Sequence, residues 1–150
     1  LYYAQPLTEK NVKVKLSDVS VKDWKTVGML AEAANAIDGD PQTVWTAKAL
    51  TPLVVDMGKA SEVIGFSYAP AQKEDLTGTI YKYNFYVSID GKNWTKCDAS
   101  GEFSNIMHNP VPYFVRFGKK YPARYFKLEP VAEINNKPAT TVGEVGILLK

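Results

Sequence analysis

Residues 35–45 read NAIDGDPQTVW, and this acidic stretch is the most informative part of the chain. Two aspartates, Asp38 and Asp40, flank one glycine and precede a proline, which predicts a tight loop rather than a helix or strand. Oxygens that converge in such a loop repel one another unless a cation lies among them, and Ca²⁺ takes about six to eight oxygen ligands. Two interpretations stay open from the spacing alone. The loop binds calcium with a carboxylate from elsewhere, for which Glu144 is the candidate, or Asp38 only caps backbone amides in an Asx-type turn.

The sequence around this loop is typical of short β-strands. From Tyr81 to Ile89 the odd positions are apolar or aromatic, which predicts a half-buried strand, and Asp90-Gly91 predicts the hairpin turn that follows. Five further segments combine β-branched or aromatic residues with flanking turn residues: Leu53 to Met57, Val63 to Tyr68, Tyr113 to Phe117, Arg124 to Leu128 and Val145 to Leu149. Only Gly28 to Ala36 predicts a helix, of barely two turns. This pattern predicts an all-β sandwich or barrel of antiparallel strands.

Length and charge restrict the function classes. At 150 residues the chain fits one domain, residues 1–150, in which residues 1–12 are expected to be a loosely attached lead-in. The net charge of +2 argues against a nucleic-acid-binding protein, which normally carries a basic face. The sequence has no apolar run long enough to span a membrane. Its one cysteine, Cys97, cannot form an internal disulfide and is expected to be buried on a strand.

Five motifs occur in the order found in one known family. Residues 36–45 resemble the AhDGdxxTxW signature of the discoidin family, also called coagulation factor V/VIII (F5/8) type C domains. The other four motifs are LVVDMG at 53–58, VSIDGKNW at 87–94, ARYFKL at 123–128 and GEVGI at 143–147. The resemblance covers about residues 20 to 150. It implies a galactose-binding-like β-sandwich of the jelly-roll type, with Trp45 and Trp94 packed in the core.

The same resemblance implies a structural calcium ion. In the family, this ion is held by backbone carbonyls and side chains from the acidic loop and from the closing strand. Carried over to this sequence, the expected calcium ligands are Asn35, Asp38, Asp40, Thr43, Gly143 and Glu144.

A narrower likeness concerns residues 101–106 (GEFSNI) and the following Asn109-Pro110. They are similar to discoidin-type domains attached to bacterial exo-glycosidases, of the β-N-acetylhexosaminidase (chitobiase-like) or α-L-fucosidase-like classes. The resemblance therefore implies a non-catalytic carbohydrate-binding accessory domain. Its partners would be the terminal sugar of a host or microbial glycan and the catalytic domain of the same protein, outside the cytoplasm, whether periplasmic, cell-surface or secreted.

The residues that hold galactose in many relatives are missing here. Relatives often carry a histidine shortly after the first tryptophan, an arginine in the next long loop and an aromatic residue near the C-terminus. This chain has Thr46 to Lys48, Ala71 and Ala139 at those places. The candidate sugar contacts that remain on the same loops are Tyr68, Gln72, Lys73, Lys48, Asn105, His108 and Asn136. Either the ligand differs, the site has moved, or the domain has lost sugar binding and serves as a structural or protein-docking domain.

Catalysis and membrane insertion are both disfavoured by the residues. A glycosidase needs two carboxylates facing each other across a cleft, but the closest acidic pair belongs to the proposed metal loop. One histidine, His108, excludes zinc sites built from several histidines. Membrane binding, which coagulation relatives use, needs apolar spikes ringed by basic residues, and no such segment stands out.

Overall fold

The computed structural model describes residues 15–40, 42–72 and 74–149. Within these residues a single 3₁₀ helix spans Ala31–Ala36. The strands are β1 (Lys25–Thr26), β2 (Trp45–Ala47), β3 (Leu53–Ala69), β4 (Ile80–Ser88), β5 (Thr95–Lys96), β6 (Tyr113–Glu133), β7 (Thr140–Val142) and β8 (Glu144–Leu148). The predicted lead-in, residues 1–12, lies outside the described residues. None of the helical structure described is long and apolar enough to cross a membrane.

The two longest strands, β3 and β6, form an antiparallel ribbon that bends midway. Their pairing runs from Leu53 opposite Leu128 to Tyr68 opposite Tyr113, with irregular register between Asp56 and Ser61 and again before Gly65. Strands β1, β4 and β5 extend one half of the ribbon, and β8 pairs with the other half. We call the first group, with residues 53–57 and 123–133, layer A. The second group, with residues 63–69 and 113–117, is layer B. Strands β2 and β7 pair with each other apart from this sheet.

An aromatic core joins the two layers. Phe66 of layer B is fully buried, and its ring stacks on that of Phe85 in layer A with centroids 4.1 Å apart. Phe85 in turn stacks on Phe126, and Tyr83 stacks on Phe103 at 4.5 Å. Each buried phenylalanine contributes roughly 1.5–3 kcal/mol through the hydrophobic effect. Face-to-face ring contacts between strands that do not pair identify a two-layer sandwich, so the all-β fold class is confirmed.

Several strand boundaries differ from the predicted ones. Leu53 to Met57 and Val63 to Tyr68 were expected as two strands, but both belong to β3, because the chain keeps its pairing through the bend. Tyr113 to Phe117 and Arg124 to Leu128 were likewise expected as two strands, but both belong to β6. The predicted helix over 28–36 is reduced to the 3₁₀ helix, because Gly28 adopts a φ of 68° and Leu30 provides no side-chain cap.

The two tryptophans expected in the core differ in their surroundings. Trp45 is buried, as predicted, and so is the thiol of Cys97. Trp94 is only partly buried, so its predicted core position is wrong. It follows the hairpin turn after β4 and lies over the solvent side of layer A, where the ammonium of Lys127 is 4.6 Å from its ring centroid.

Candidate functional site

The acidic loop of residues 35–45 lies against the start of β8. The backbone N–H of Gly39 donates a hydrogen bond of 2.8 Å to Oε2 of Glu144. Glu144 is only 3% exposed, although the loop around it is largely open to solvent. The fold therefore brings together the two parts of the sequence that were predicted to share a cation.

Three acceptor oxygens converge on the hydroxyl of Thr43. They are Oδ2 of Asp38, in a short contact, the carbonyl of Asp40 at 2.9 Å and the carbonyl of Asn35 at 3.4 Å. A hydroxyl has one hydrogen, so it satisfies only one of these acceptors at a time. The other two acceptor oxygens then repel the hydroxyl oxygen, because no proton lies between them. A cation bound among these oxygens would remove that repulsion.

The carboxylate of Glu144 is also incompletely satisfied. Its Oε1 is buried and has no hydrogen-bond partner. Burial, together with the negative charges of Asp38 and Asp40, raises the pKa of Glu144 to about 8. A buried carboxylate in this environment is costly unless a positive charge compensates it. The residues present therefore fit a bound cation on both counts, converging oxygens and an unpaired buried carboxylate.

The capping predicted for Asp38 is present in the structure, and Asp40 caps the loop in the same way. Oδ1 of Asp38 accepts from the N–H of Asp40, and Oδ1 of Asp40 accepts from the N–H of Gln42, each at 2.9 Å. One oxygen of each side chain thus caps the loop, and Asp40 faces Thr43 through its backbone carbonyl. Among the described residues, no three His, Cys, Asp or Glu side chains form a metal-binding cluster. A cation here would depend on carbonyls and a hydroxyl as well, which is a donor set that Ca²⁺ accepts.

Gly143, the remaining predicted ligand, lies between β7 and β8. Its N–H donates to the carbonyl of Ala69 at 2.8 Å. A Cβ atom at this position would come within 2.8 Å of the same carbonyl oxygen and 3.0 Å of that of Pro70. Glycine is therefore required for the close approach that sets Glu144 beside the acidic loop.

A second group of predicted residues lies on loops at one end of the sandwich. We call this the loop end: residues 47–51, 70–79 except Lys73, 104–110 and 134–139. Hydrogen bonds link these loops, including Thr140 Oγ1 to the carbonyl of Ala49 at 2.7 Å and the N–H of Thr141 to the carbonyl of Gly78 at 2.8 Å. Nε2 of Gln72 donates to the carbonyl of Pro110 at 3.1 Å. Five candidate sugar contacts are exposed on these loops: Lys48, Gln72, Asn105, His108 and Asn136.

Tyr68 does not belong to this exposed set, which corrects its prediction as a sugar contact. Its ring is fully buried, and its hydroxyl donates to the carbonyl of Thr141 at 2.7 Å while accepting from the N–H of Ile80 at 3.0 Å. Burial raises the pKa of Tyr68 well above its ordinary value. Tyr68 therefore supports the loop end from within the core. Lys73, another candidate, lies outside the described residues.

Sequence reasoning missed the residue that organises the loop end, Glu133. This carboxylate is 1% exposed; its Oε2 accepts from the N–H of Gly78, and its Oε1 accepts from Asn135 and Lys137. Three backbone donors thus satisfy one buried charge and fix two loops. The sequence feature that could have indicated this role is an acidic residue at the end of a strand, immediately before an Asn-rich turn.

Known proteins with the same architecture are components of larger enzymes. The chain is 29% identical over 143 residues to galactose oxidase from Gibberella zeae, a match that covers 87% of this chain and 20% of that protein. It therefore spans about a fifth of the length of the curated relatives it matches. A putative α-L-fucosidase from Bacteroides ovatus superposes with a TM-score of 0.70 at 35% identity, covering 99% of this chain and 22% of that one.

A carbohydrate-binding module of similar size, solved by itself, shares the fold. A family 32 carbohydrate-binding module from Clostridium perfringens, solved in complex with galactose, superposes with a TM-score of 0.70 at 20% identity, covering 86% of this chain and 96% of that one. The predicted discoidin-type, galactose-binding-like β-sandwich is confirmed by this likeness. The model of the F5/8 type C domain matches residues 15–145, most of the sequence, and the chain belongs to that family.

Proposed function

We propose that this chain is a non-catalytic carbohydrate-binding accessory domain of an extracytoplasmic glycoside hydrolase. The observation that carries the proposal is the loop end, where five exposed polar residues lie on four loops that are linked by hydrogen bonds from side chains to backbone carbonyls. Family membership supports it, as do relatives that are carbohydrate-active enzymes and a module that was solved with galactose bound.

The chemistry of the loop end fits a weak and shallow sugar site. Amide, imidazole and ammonium groups can bond sugar hydroxyls, but no aromatic ring stands at the positions where Ala71 and Ala139 occur, and Ala71 is buried. Without a stacking surface we expect dissociation constants from high micromolar to millimolar, about −4 to −6 kcal/mol. Attachment to an enzyme makes such affinities useful, because the linked domains experience a high effective concentration.

Calcium would stabilise this domain rather than contact the sugar. Asn35, Asp40 and Gly143 would supply carbonyls, Thr43 its hydroxyl, and Asp38 and Glu144 their carboxylates. The bound ion would neutralise Glu144 and fix the acidic loop against β8. Support comes from the three acceptors around the Thr43 hydroxyl and from the unpartnered Oε1 of Glu144.

The parent enzyme would be an exo-glycosidase of the chitobiase-like or α-L-fucosidase-like class. The likeness of residues 101–110 to domains attached to such enzymes supports this class. So does the match to the Bacteroides ovatus protein over nearly the whole of this chain. The domain would then act outside the cytoplasm, in the periplasm, at the cell surface or as part of a secreted protein, next to the catalytic domain of the same polypeptide.

A glycan array followed by titration calorimetry tests the sugar proposal. We expect binding to a restricted set of terminal sugars and a loss of binding when Gln72→Ala and His108→Ala are combined. Lys22→Ala is the matched control, because Lys22 is an exposed residue outside the loop end. If no glycan binds at millimolar concentrations, or if the double variant binds as well as the parent domain, the proposed site is wrong.

One observation favours the alternative, a structural or protein-docking domain. An open groove of about 690 Å³ runs between residues 27–32 and 45–54, and its walls are largely apolar. Leu30 on this groove is 77% exposed and Val27 is 42% exposed. Hydrogen exchange on the isolated domain and on the full-length parent protein separates the two functions. Protection of residues 27–32 that appears only in the full-length protein, together with silence on the glycan array, would favour docking.

A further inference from the structure

The solvent face of layer A carries a row of aromatic and charged side chains. Tyr86 of β4 lies opposite Lys96 of β5 on one side and Lys127 of β6 on the other, and Asn84 lies opposite Glu129. The intervening residues, including Phe85, are buried in the core, so these side chains project outward. The row of six is completed by Trp94, just before β5. We call these residues, Trp94, Tyr86, Lys96, Lys127, Asn84 and Glu129, the sheet-face strip.

Two aromatic rings position the ammonium of Lys127. Its Nζ lies 4.6 Å from the centroid of Trp94 and 5.0 Å from that of Tyr86. Both distances allow cation–π attraction, which holds the ammonium over the rings. Trp94 and Tyr86 remain partly exposed, unlike Trp24 and Trp45, which are buried.

The two lysines of the strip are not paired with a carboxylate within the part of the chain that the structure describes. The ion pairs seen among the described residues join Lys15 with Asp18 and Arg124 with Asp56, so they involve neither Lys96 nor Lys127. The nearby carboxylate of Glu129 forms no ion pair with either lysine, and its Oε1 accepts from Nδ2 of Asn84 at 3.0 Å and from the hydroxyl of Tyr86 at 3.1 Å. Those two bonds hold Tyr86 in place, and the strip keeps a net positive charge, with two ammonium groups against one carboxylate.

We propose that the sheet-face strip is a second carbohydrate-binding site and that it binds an acidic oligosaccharide. The indole of Trp94 would pack against the apolar face of a pyranose ring, while Lys127 and Lys96 pair with its carboxylate or sulfate groups. An acidic sugar combines an apolar ring face, on which the indole can stack, with negative charges, with which the two ammonium groups can pair.

The strip is separate from the loop end. Trp94 lies level with Ser88 at the end of β4, whereas the loop end adjoins Ile80 at its beginning. A strand of this length spans roughly 25 Å, at about 3.3 Å per residue. Binding at the strip therefore does not require that the loop end binds sugar, and variants can separate the two sites.

Tryptophan fluorescence provides the test, because Trp94 is the partly exposed one of the three tryptophans. The probes are tetragalacturonate, a sulfated and a sialylated oligosaccharide, and a neutral galacto-oligosaccharide of equal length. We expect at least one acidic probe to shift the emission and to protect Trp94 from acrylamide quenching. Binding should weaken with added salt, because charge pairs of this kind are screened.

Variants connect the signal to the strip, with calorimetry as an independent readout. Trp94→Ala should weaken acidic-probe binding about tenfold or more, since it removes the stacking surface. Lys127→Met keeps the aliphatic stem and should weaken binding about threefold to fivefold. Trp94→Phe checks folding and retains part of the affinity, and Lys22→Ala, at an exposed position outside the strip and the loop end, should leave acidic-probe binding unchanged. The proposal would be overturned if no acidic probe binds, if the neutral probe binds with the same affinity as the acidic ones, or if Trp94→Ala binds acidic probes as well as the parent domain.

Discussion

The N–H of Gly39 donates a hydrogen bond of 2.8 Å to Oε2 of Glu144, a residue 105 positions further along the chain. This bond connects the acidic loop to β8 but satisfies only one oxygen of the buried carboxylate. The other oxygen has no hydrogen-bond partner, and the negative charges of Asp38 and Asp40 help to raise the pKa of the group. The contact that joins the two parts of the predicted site therefore leaves a buried carboxyl group close to two acidic residues when no cation is bound.

Removal of calcium should lower the melting temperature. An ion that binds only the folded chain adds about 2.7 kcal/mol at a hundredfold excess over its dissociation constant. For a domain of this size that corresponds to roughly 5–10 °C. Calorimetric melts in EGTA, and again after calcium is restored, measure the effect. Magnesium at the same concentration should restore less, because it prefers six ligands in rigid geometry. A melting temperature that EGTA leaves unchanged would count against the site.

Glu144→Gln should have opposite effects with and without calcium. In EGTA the variant should be at least as stable as the parent domain, because the amide is neutral at every pH, whereas Glu144 must be held protonated, with its pKa raised to about 8, to avoid a buried charge near two aspartates. In calcium it should melt at a lower temperature, because a ligand is missing. The free energy of unfolding from denaturant titrations, taken in both buffers, measures this reversal.

Asp90→Asn serves as the matched control for that experiment. Asp90 also caps backbone amides in a tight turn, with Oδ1 accepting from Lys92 and Asn93, but it lies far along the chain from the acidic loop. Its substitution should change stability equally in both buffers. An equal response of Glu144→Gln and the parent domain to calcium would remove Glu144 from the ligand set.

The pair Arg124–Asp56 should contribute to stability in a pH-dependent way. Both carboxylate oxygens of Asp56 accept from Arg124, at 2.9 and 3.0 Å, and these hydrogen bonds hold the pKa of Asp56 below its ordinary value. The contribution is therefore complete above the unfolded-state pKa, about 3.9, and is lost as the pH falls through the lower folded-state pKa. Arg124→Met should cost about 1 kcal/mol or less at neutral pH, because the pair is partly exposed.

Urea titrations from pH 7 to pH 2.5 measure the difference between the Arg124→Met variant and the parent domain. That difference should shrink as Asp56 becomes protonated. Lys59→Met removes a charge at an exposed position and should give a nearly constant difference. A cost for Arg124→Met that stays the same down to pH 2.5 would mean that its pairing with Asp56 contributes nothing.

Tyr68→Phe should destabilise the domain because two buried groups lose their partner. The carbonyl of Thr141 and the N–H of Ile80 both bond the Tyr68 hydroxyl, and their loss should cost about 1–3 kcal/mol. Tyr113→Phe is the control, since the Tyr113 hydroxyl makes one exposed bond, to the carbonyl of Asn109, and should cost less. Equal losses in the free energy of unfolding would contradict the structural role given to Tyr68.

The acidic loop was predictable because its chemistry is local. Paired aspartates around a glycine force a turn, and the ordered motifs indicated that Glu144 would meet it. Tyr68 was misjudged because the second half of β3 is buried on both faces, which strand alternation does not reveal. The segment around Leu16 covers one of these faces, and its carbonyl accepts a hydrogen bond of 2.5 Å from the Ser67 hydroxyl. Contacts between segments so distant in sequence leave no periodic signal.

The positions of Trp94 and Glu133 were also not predictable, because both depend on how separate segments of the chain meet. The separation of Trp94 from the core depends on which way the hairpin after β4 turns, and a motif of eight residues does not specify that direction. Glu133 was missed because a buried carboxylate bound by three backbone N–H groups looks in sequence like an ordinary charged residue at a strand end. Its role is defined by the loops it binds, which come from separate parts of the chain.

The bent ribbon of β3 and β6 has a mechanical consequence. Because each of these strands runs continuously from layer A into layer B, the layers are joined by backbone as well as by side-chain packing. A pulling force on the domain would therefore act on both layers together. We expect such a domain to rupture in a single step when stretched, with no half-open form in which one layer survives alone.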